Sequence, residues 1–158
     1  METMKARRMA TELMRQHLDS TWTLRFDNAK NRFGRCSYGK REISLSTPLV
    51  RLNDEDRVRQ TVLHEIAHAL AGPGAGHGYA WAAKCRELGI RPDRCFTAEN
   101  TVIPDGNYKG TCPTCGFVVT RHRVSKAMKG GACPKCCAGT YDPQHIFTWT
   151  KAGRPFLP

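Results

Sequence analysis

No stretch of this 158-residue chain approaches the ~20 consecutive apolar residues that a membrane-spanning helix requires, so no such helix is expected. The opening METMKARRMATELMRQHLD has no apolar core of the secretory type, and an intracellular location is expected. Internal repeats and low-complexity segments are missing as well, which sets aside repeat architectures. Acidic residues are scarce: 14 Asp and Glu stand against 25 Lys and Arg, for a formal net charge of +11. A balance this basic favours acidic partners, nucleic acid first among them. A disulfide pattern is also lacking. Of eight cysteines, four fall in CxxC pairs and the other four (Cys36, Cys85, Cys95 and Cys137) show no pair spacing. In a chain that is not exported, CxxC pairs read as metal ligands and unpaired cysteines as reduced, structural thiols.

What is present is the composition of an ordinary globular chain, 40% hydrophobic and 25% charged, long enough for one domain or one small domain with an appendage. Residues 3–18 place Met9, Leu13, Met14 and Leu18 at helical spacing. Strict alternation over Trp22–Asp27 predicts a half-buried strand. Two more strands are expected, one around Phe33–Tyr38 and one through Ile43 and Leu45 with Ser44 and Ser46 facing away, joined by a turn at Gly39-Lys40. Pro48 should end the strand region. Asn53 is the expected cap of a long helix, with Asp54, Glu55 and Asp56 in its first turn and a buried stripe of Val58, Val62, Ile66 and Ala69 or Leu70. Gly72-Pro73 stops it, and a further helix is expected from about Tyr79 to Leu88, closed by Gly89. The order is α-β-β-β-α-α. From about Asn100 the character changes to turns and cysteine pairs, so residues 1–103 are expected to form a core and residues 104–158 a smaller unit that metal must hold together.

Residues 64–78, HEIAHALAGPGAGHG, carry the chemistry. His64 and His68, four apart on a helix, present both imidazoles to one ion. Glu65 lies ~100° round the helix from His64, close enough to reach a water at that ion without ligating it. Zinc lowers the pKa of such a water toward ~7, where a neighbouring carboxylate can take the proton; this is the arrangement of metal-assisted hydrolysis. A third ligand is needed. The metzincin spacing HExxHxxGxxH is excluded, because Ala71 and Gly74 occupy its glycine and histidine positions. Glu87, nineteen residues beyond His68, would serve a gluzincin arrangement, but His77 is the better candidate. Nine residues reach up to ~30 Å when extended, and GPGAG permits the chain to reverse. No Lys-Ser/Thr follows those glycines, so they are not a phosphate loop.

Cys112 and Cys115, then Cys133 and Cys136, have the spacing of a four-cysteine zinc site, with Cys137 an alternative to Cys136 that the repeated CPxC pattern disfavours. Between the pairs lies TRHRVSKAMKGGA, with Arg121, Arg123, Lys126 and Lys129. Residues 100–158 hold eight basic and two acidic side chains, net +6, whereas residues 1–99 are net +5. Such a loop could contact phosphates in a sequence-blind, salt-dependent way, or simply be solvated. Arg25, Lys30, Arg32, Arg35, Lys40 and Arg41 form a second basic group, read equally as a nucleic-acid path or as charge protection of a strand edge. His17, His122 and His145 lack ligand spacing.

HEIAHAL with a glycine-rich loop and GHG-x-x-W, preceded by NRFGRCSYGKREISLS and followed by CPTC and CPKC, resembles the SprT-like metalloprotease family, to which the Spartan proteases belong. The resemblance covers about residues 5–150. It implies an α+β fold: a small zincin-like core (N-terminal helix, short antiparallel or mixed sheet, HExxH helix, following helix) plus a C-terminal four-cysteine zinc ribbon. It also implies His64, His68 and His77 as zinc ligands, Glu65 as general base, Trp81 as packing, and one catalytic and one structural zinc. The implied activity is that of a zinc endopeptidase acting on DNA-bound or DNA-crosslinked proteins, which tips the basic insert toward DNA binding. The Spartan-type tail with its partner-recruiting motifs has no counterpart in these residues, so recruitment is not carried over. A cytoplasmic monomer associated with DNA or the nucleoid (nuclear in a eukaryote) is expected. The alternative is a nucleic-acid-binding zinc protein with a structural or regulatory protease-like core. Tyr79, Tyr38 and Arg35 are the candidates for stabilising an oxyanion.

Overall fold

The computed structural model describes residues 1–93 and 101–157, so Cys95 and the expected change of character at Asn100 lie outside the described residues. The chain is α+β and divides into two compact units, Met1–Pro104 and Asp105–Pro158.

In the first unit, α1 (Thr3–His17) buries Ala6, Ala10, Leu13 and Met14. The two alanines, absent from the expected stripe, take the central positions, and Met9 and Leu18 pack at the margin. Strands β1 (Thr23–Asp27), β2 (Gly34–Ser37) and β3 (Glu42–Ser46) form a mixed sheet in the order β1-β3-β2, with β1 parallel and β2 antiparallel to β3. The β2–β3 turn is a 3-10 turn over Tyr38–Lys40, and its left-handed residue is Arg41 (φ 46°) rather than Gly39. Central strand β3 buries Ile43 and Leu45 on its core face. Its serines were expected to face solvent. Both are buried, because the connection after β1 covers them: Ser44 Oγ accepts from Arg32 Nη1 at 3.3 Å, and Ser46 Oγ donates to the Ala29 carbonyl at 2.5 Å.

A helix that the sequence reading missed follows at once. In α2 (Thr47–Leu52), Ser46 caps the Leu49 N–H and Pro48 sits in the first turn, where its missing donor costs nothing. The long helix α3 (Glu55–Ala71) is capped by Asp54, which accepts from Arg57 N at 2.8 Å; Asn53 is not the cap. Asn53 is buried and ties the unit together instead. Its Nδ2 donates to the carbonyls of Leu49 (2.8 Å) and Val102 (2.7 Å), and its Oδ1 accepts from Val102 N (2.7 Å). Val58, Val62 and Ile66 are fully buried, each contributing about 1.5–3 kcal/mol. The stripe does not extend to Leu70, which is 39% exposed. Steps of four advance ~40° each round the helix, so a line begun at Val58 has left the core face by then. Gly72 (φ 83°) closes α3. Helix α4 (Tyr79–Glu87) buries Trp81 and Cys85, and Gly89 (φ 73°) ends its last turn.

The second unit is an antiparallel sheet in the order β5-β4-β6-β7, from β4 (Tyr108–Thr111), β5 (Val118–Arg121), β6 (Thr148–Lys151) and β7 (Arg154–Phe156). Two short helices, α5 (Lys126–Gly130) and α6 (Pro134–Cys137), lie between β5 and β6. A 3-10 turn over Pro143–His145 precedes β6, which starts at Thr148. Its core is small: Cys112, Met128, Cys133, Phe147 and Trp149. Trp149 Nε1 donates to the Met128 carbonyl at 3.0 Å, and its ring covers Gly110, where a Cβ would lie 3.0 Å from the ring atoms.

Candidate functional site

Helix α3 projects His64 and His68 from one face, and the glycine loop returns the chain so that His77, just ahead of α4, meets them. Gly72, Gly74 and Gly76 all have positive φ (83°, 89° and 51°), a backbone path that side-chain-bearing residues rarely take. The Nε2 atoms of His68 and His77 are 3.1 Å apart, and those of His77 and His64 are 3.3 Å apart. Three nitrogens each ~2.0–2.1 Å from one tetrahedral ion would be separated by about 3.3 Å, so the set fits a metal ion. Buried Trp81 packs against all three rings, with centroid distances of 4.9, 5.4 and 4.6 Å to His64, His68 and His77. Burial, then the neighbouring imidazoles, pulls His64 and His68 down to about 4, so both rings are neutral at pH 7 and free to donate a lone pair. Glu87, the alternative third ligand, pairs with Lys84 at 2.7 Å instead.

Glu65 is 7% exposed and lies against edge strand β2. The backbone N–H of Cys36 donates to its carboxylate. A Cβ at Gly34 would fall 2.7 Å from Glu65 Cγ and Oε1, so any side chain there would have to displace the Glu65 carboxylate. Burial pushes the Glu65 carboxyl up to about 7, against the opposing pull of the Cys36 N–H and the Arg32 charge. Neither Gly34 nor Cys36 was singled out for the site from sequence. The signal available was a glycine in a strand interior, which marks close approach by another group. A cleft of about 690 Å³ opens over these residues, its walls including Gly34, Tyr38, Arg57, Gln60 and Gly76.

Of the oxyanion candidates, Tyr38 donates its hydroxyl to the His68 carbonyl at 3.0 Å, Arg35 is exposed on the cleft wall, and Tyr79 is 86% exposed and not among the lining residues. In the second basic group, Arg25 pairs with Glu42 (3.0 Å), Arg32 with Asp27 (2.7 Å) and Arg41 with Asp19 (3.4 Å).

In the second unit the structure gathers Cys112, Cys115, Cys133 and Cys136 with sulfurs within 4.8 Å of one another. The Cys112–Cys136 and Cys115–Cys133 separations are 3.9 and 3.6 Å, against about 3.8 Å for thiolates ~2.3 Å from a tetrahedral ion. Backbone N–H groups of Cys115 and Thr114 lower the Cys112 thiol to about 6, while the neighbouring sulfurs push Cys136 up to about 12. A cation is what lets all four ionise together. Cys137 points elsewhere, its Sγ 4.0 Å from the Asp142 carbonyl, and is free, as are Cys36 and Cys85. Arg121, Arg123, Lys126 and Lys129 are all exposed, on the connection from the end of β5 through α5. His145 bonds Thr114 at 2.8 Å, and neither it, His17 nor His122 joins either metal-binding group.

The first unit is thus a small α+β domain built round a three-histidine group whose geometry could hold a metal ion. The family model described as SprT-like matches residues 4–101, and the chain belongs to the SprT-like family. It is similar to Protein SprT of Pseudomonas putida (strain W619), 33% identical over 98 residues, 56% of this chain and 60% of that protein. Protein SprT of Pseudomonas syringae pv. tomato (strain ATCC BAA-871 / DC3000) is 35% identical over 98 residues, with the same shares covered. The match therefore spans about 60% of the length of these curated relatives. No solved structure matches the chain. Among the described residues, no helix is long and apolar enough to cross a membrane.

Proposed function

We propose that this protein is a zinc-dependent endopeptidase that acts on proteins held on DNA. The observation that carries the reading is the meeting of three imidazole nitrogens, 3.1 and 3.3 Å apart, with a buried carboxylate beside them in an open cleft. Three nitrogen ligands with an open side suit a catalytic zinc held by His64, His68 and His77; four clustered thiols suit a structural zinc held by Cys112, Cys115, Cys133 and Cys136. When bound, the catalytic zinc would polarise the scissile carbonyl and acidify the attacking water. Glu65 takes the proton from that water and delivers it to the leaving amine. Gly34 and the Cys36 N–H hold its carboxylate in position for both transfers. Trp81 backs the histidine rings and keeps water off their far side.

The DNA part of the reading rests on charge. Residues 100–158 carry eight basic side chains and two acidic ones, and Arg121, Arg123, Lys126 and Lys129 are all solvent-facing. The test is cleavage of a histone by the zinc-loaded protein with and without single-stranded DNA, beside Glu65→Gln. Wild type should cut, faster with DNA. Glu65→Gln should retain both metals and DNA affinity but lose cleavage by at least ~100-fold. Undiminished proteolysis in that variant would remove the mechanism, and DNA binding with no cleavage by wild type would leave a nucleic-acid-binding zinc protein.

A further inference from the structure

The cleft extends past the histidines along the N-terminal half of α3. Arg57, Thr61, His64 and His68 follow one another at spacings of four, three and four, so they line one face of the helix within the cleft. Arg57 stands two turns before His64, about 10 Å along the axis, the length of roughly three residues of extended chain. Its surroundings are unusual for an arginine. Among the described residues its Nε is buried with no hydrogen-bond partner, and its guanidinium carbon lies 5.6 Å from the centroid of the buried Phe33 ring. A buried N–H left without an acceptor is costly, and burial lowers the Arg57 pKa below its ordinary value despite the charges of Asp54 and Asp93.

The wall around it has the same sign. Among the described lining residues are Arg32, Arg35, Arg57 and Arg91, against the carboxylates Glu65 and Asp93. Asp93 lies 3.8 Å from Arg91, and Arg32 is occupied by Asp27 at 2.7 Å. Arg35 and Arg57 remain without an ion-pair partner among the described residues.

We infer that Arg57 forms a subsite for an acidic side chain of the substrate polypeptide, about three residues from the bond that is cut. The inference rests on the endopeptidase reading for its substrate. A carboxylate is favoured over a DNA phosphate because Arg57 is half-buried on the floor that carries the histidines, where an extended peptide in the cleft passes over it. A guanidinium steadied on an aromatic ring presents a planar fork that matches a planar carboxylate.

The experiment uses the full chain, zinc-loaded and carrying Glu65→Gln, so that peptides bind without being cut. Fluorescein-labelled peptides of about twelve Ala, Gly and Ser residues, with one Glu or one Gln walked through every position, are titrated by anisotropy. One position should bind the Glu peptide about tenfold more tightly than its Gln twin, the size of one charge-assisted pair. Adding Arg57→Gln should abolish that difference and leave the Gln peptide unchanged; Arg57→Lys should restore part of it. Equal affinity for Glu and Gln at every position would overturn the proposal. So would an Arg57→Gln variant that weakens both peptides alike, or one that keeps the preference and loses DNA affinity instead. Cleavage of the same peptides by wild type separates the two readings. A Glu preference in binding without any cleavage keeps the subsite and removes the protease, whereas cleavage without a preference does the reverse.

Discussion

The two units place their clusters of metal-ligand residue types in opposite ways. In residues 1–104 the histidines lie half-buried on a cleft wall, outside the buried core that includes Ile43, Leu45, Val58, Val62 and Ile66. In residues 105–158 the ligands are the core: Cys112 and Cys133 are two of its five buried residues, and Met128, Phe147 and Trp149 are the rest. A site that hydrolyses must leave one side of its ion open, so it belongs at the edge of a scaffold that is stable without it. A unit of this size buries too little apolar surface to stand alone, so its ion must be closed in by protein.

This contrast predicts unequal responses to metal loss. The largest effect is expected from Cys133→Ser or from a chelator, because the metal binding free energy of small four-ligand sites, on the order of 10 kcal/mol, is also their folding free energy. Amide NMR signals of residues 105–157 should collapse to unfolded positions while those of residues 1–93 persist. If both units lost their signals together, the contrast would be wrong. A smaller effect, confined to the first unit, is expected of Gly34→Ala. Its methyl group would displace Glu65, and a shift of about 1 Å in a reacting group can cost ~100-fold in rate. Peptide cleavage should fall by that factor with zinc content at the histidines unchanged. Full activity in this variant would mean that β2 does not position the carboxylate. The smallest effect tests the scaffold alone. Asn53→Ala removes two donated bonds and one accepted bond that involve none of the clustered histidines or cysteines, and should cost about 2–3 kcal/mol in urea unfolding of the first unit with metal binding intact.

The parts of the fold that could be read from sequence were those with a strong local period. Alternation marked β1 and β3, and the apolar spacing of α3 with Gly72 after it marked the helix that carries His64 and His68. Where one residue type serves two purposes, the reading went astray. Pro48 reads as a breaker, yet it begins α2; Asn53 and Asp54 are both good caps, and only burial decides that Asn53 bridges to Val102 instead. Pro155 hid β7, a strand that tolerates proline because it is at an edge. The parallel pairing of β1 with β3 is a tertiary outcome with no local marker. At the site, the gathering of the three histidines and of the four cysteines could be read, because metal chemistry limits residue types and spacing. The seats of Glu65 and Arg57 could not, because one depends on a missing side chain at Gly34 and the other on how Phe33 packs.

The glycine loop also bears on timing. His77 is the last of the three histidines in chain order, and it reaches the others only after Gly72, Gly74 and Gly76 have taken up their left-handed turns. A nascent chain that has emerged only through α3 carries two imidazoles and the carboxylate, but no three-point grip on an ion. On the endopeptidase reading proposed above, the loop therefore sets when the site is complete: the three-histidine group exists only once residues 72–77 are in place.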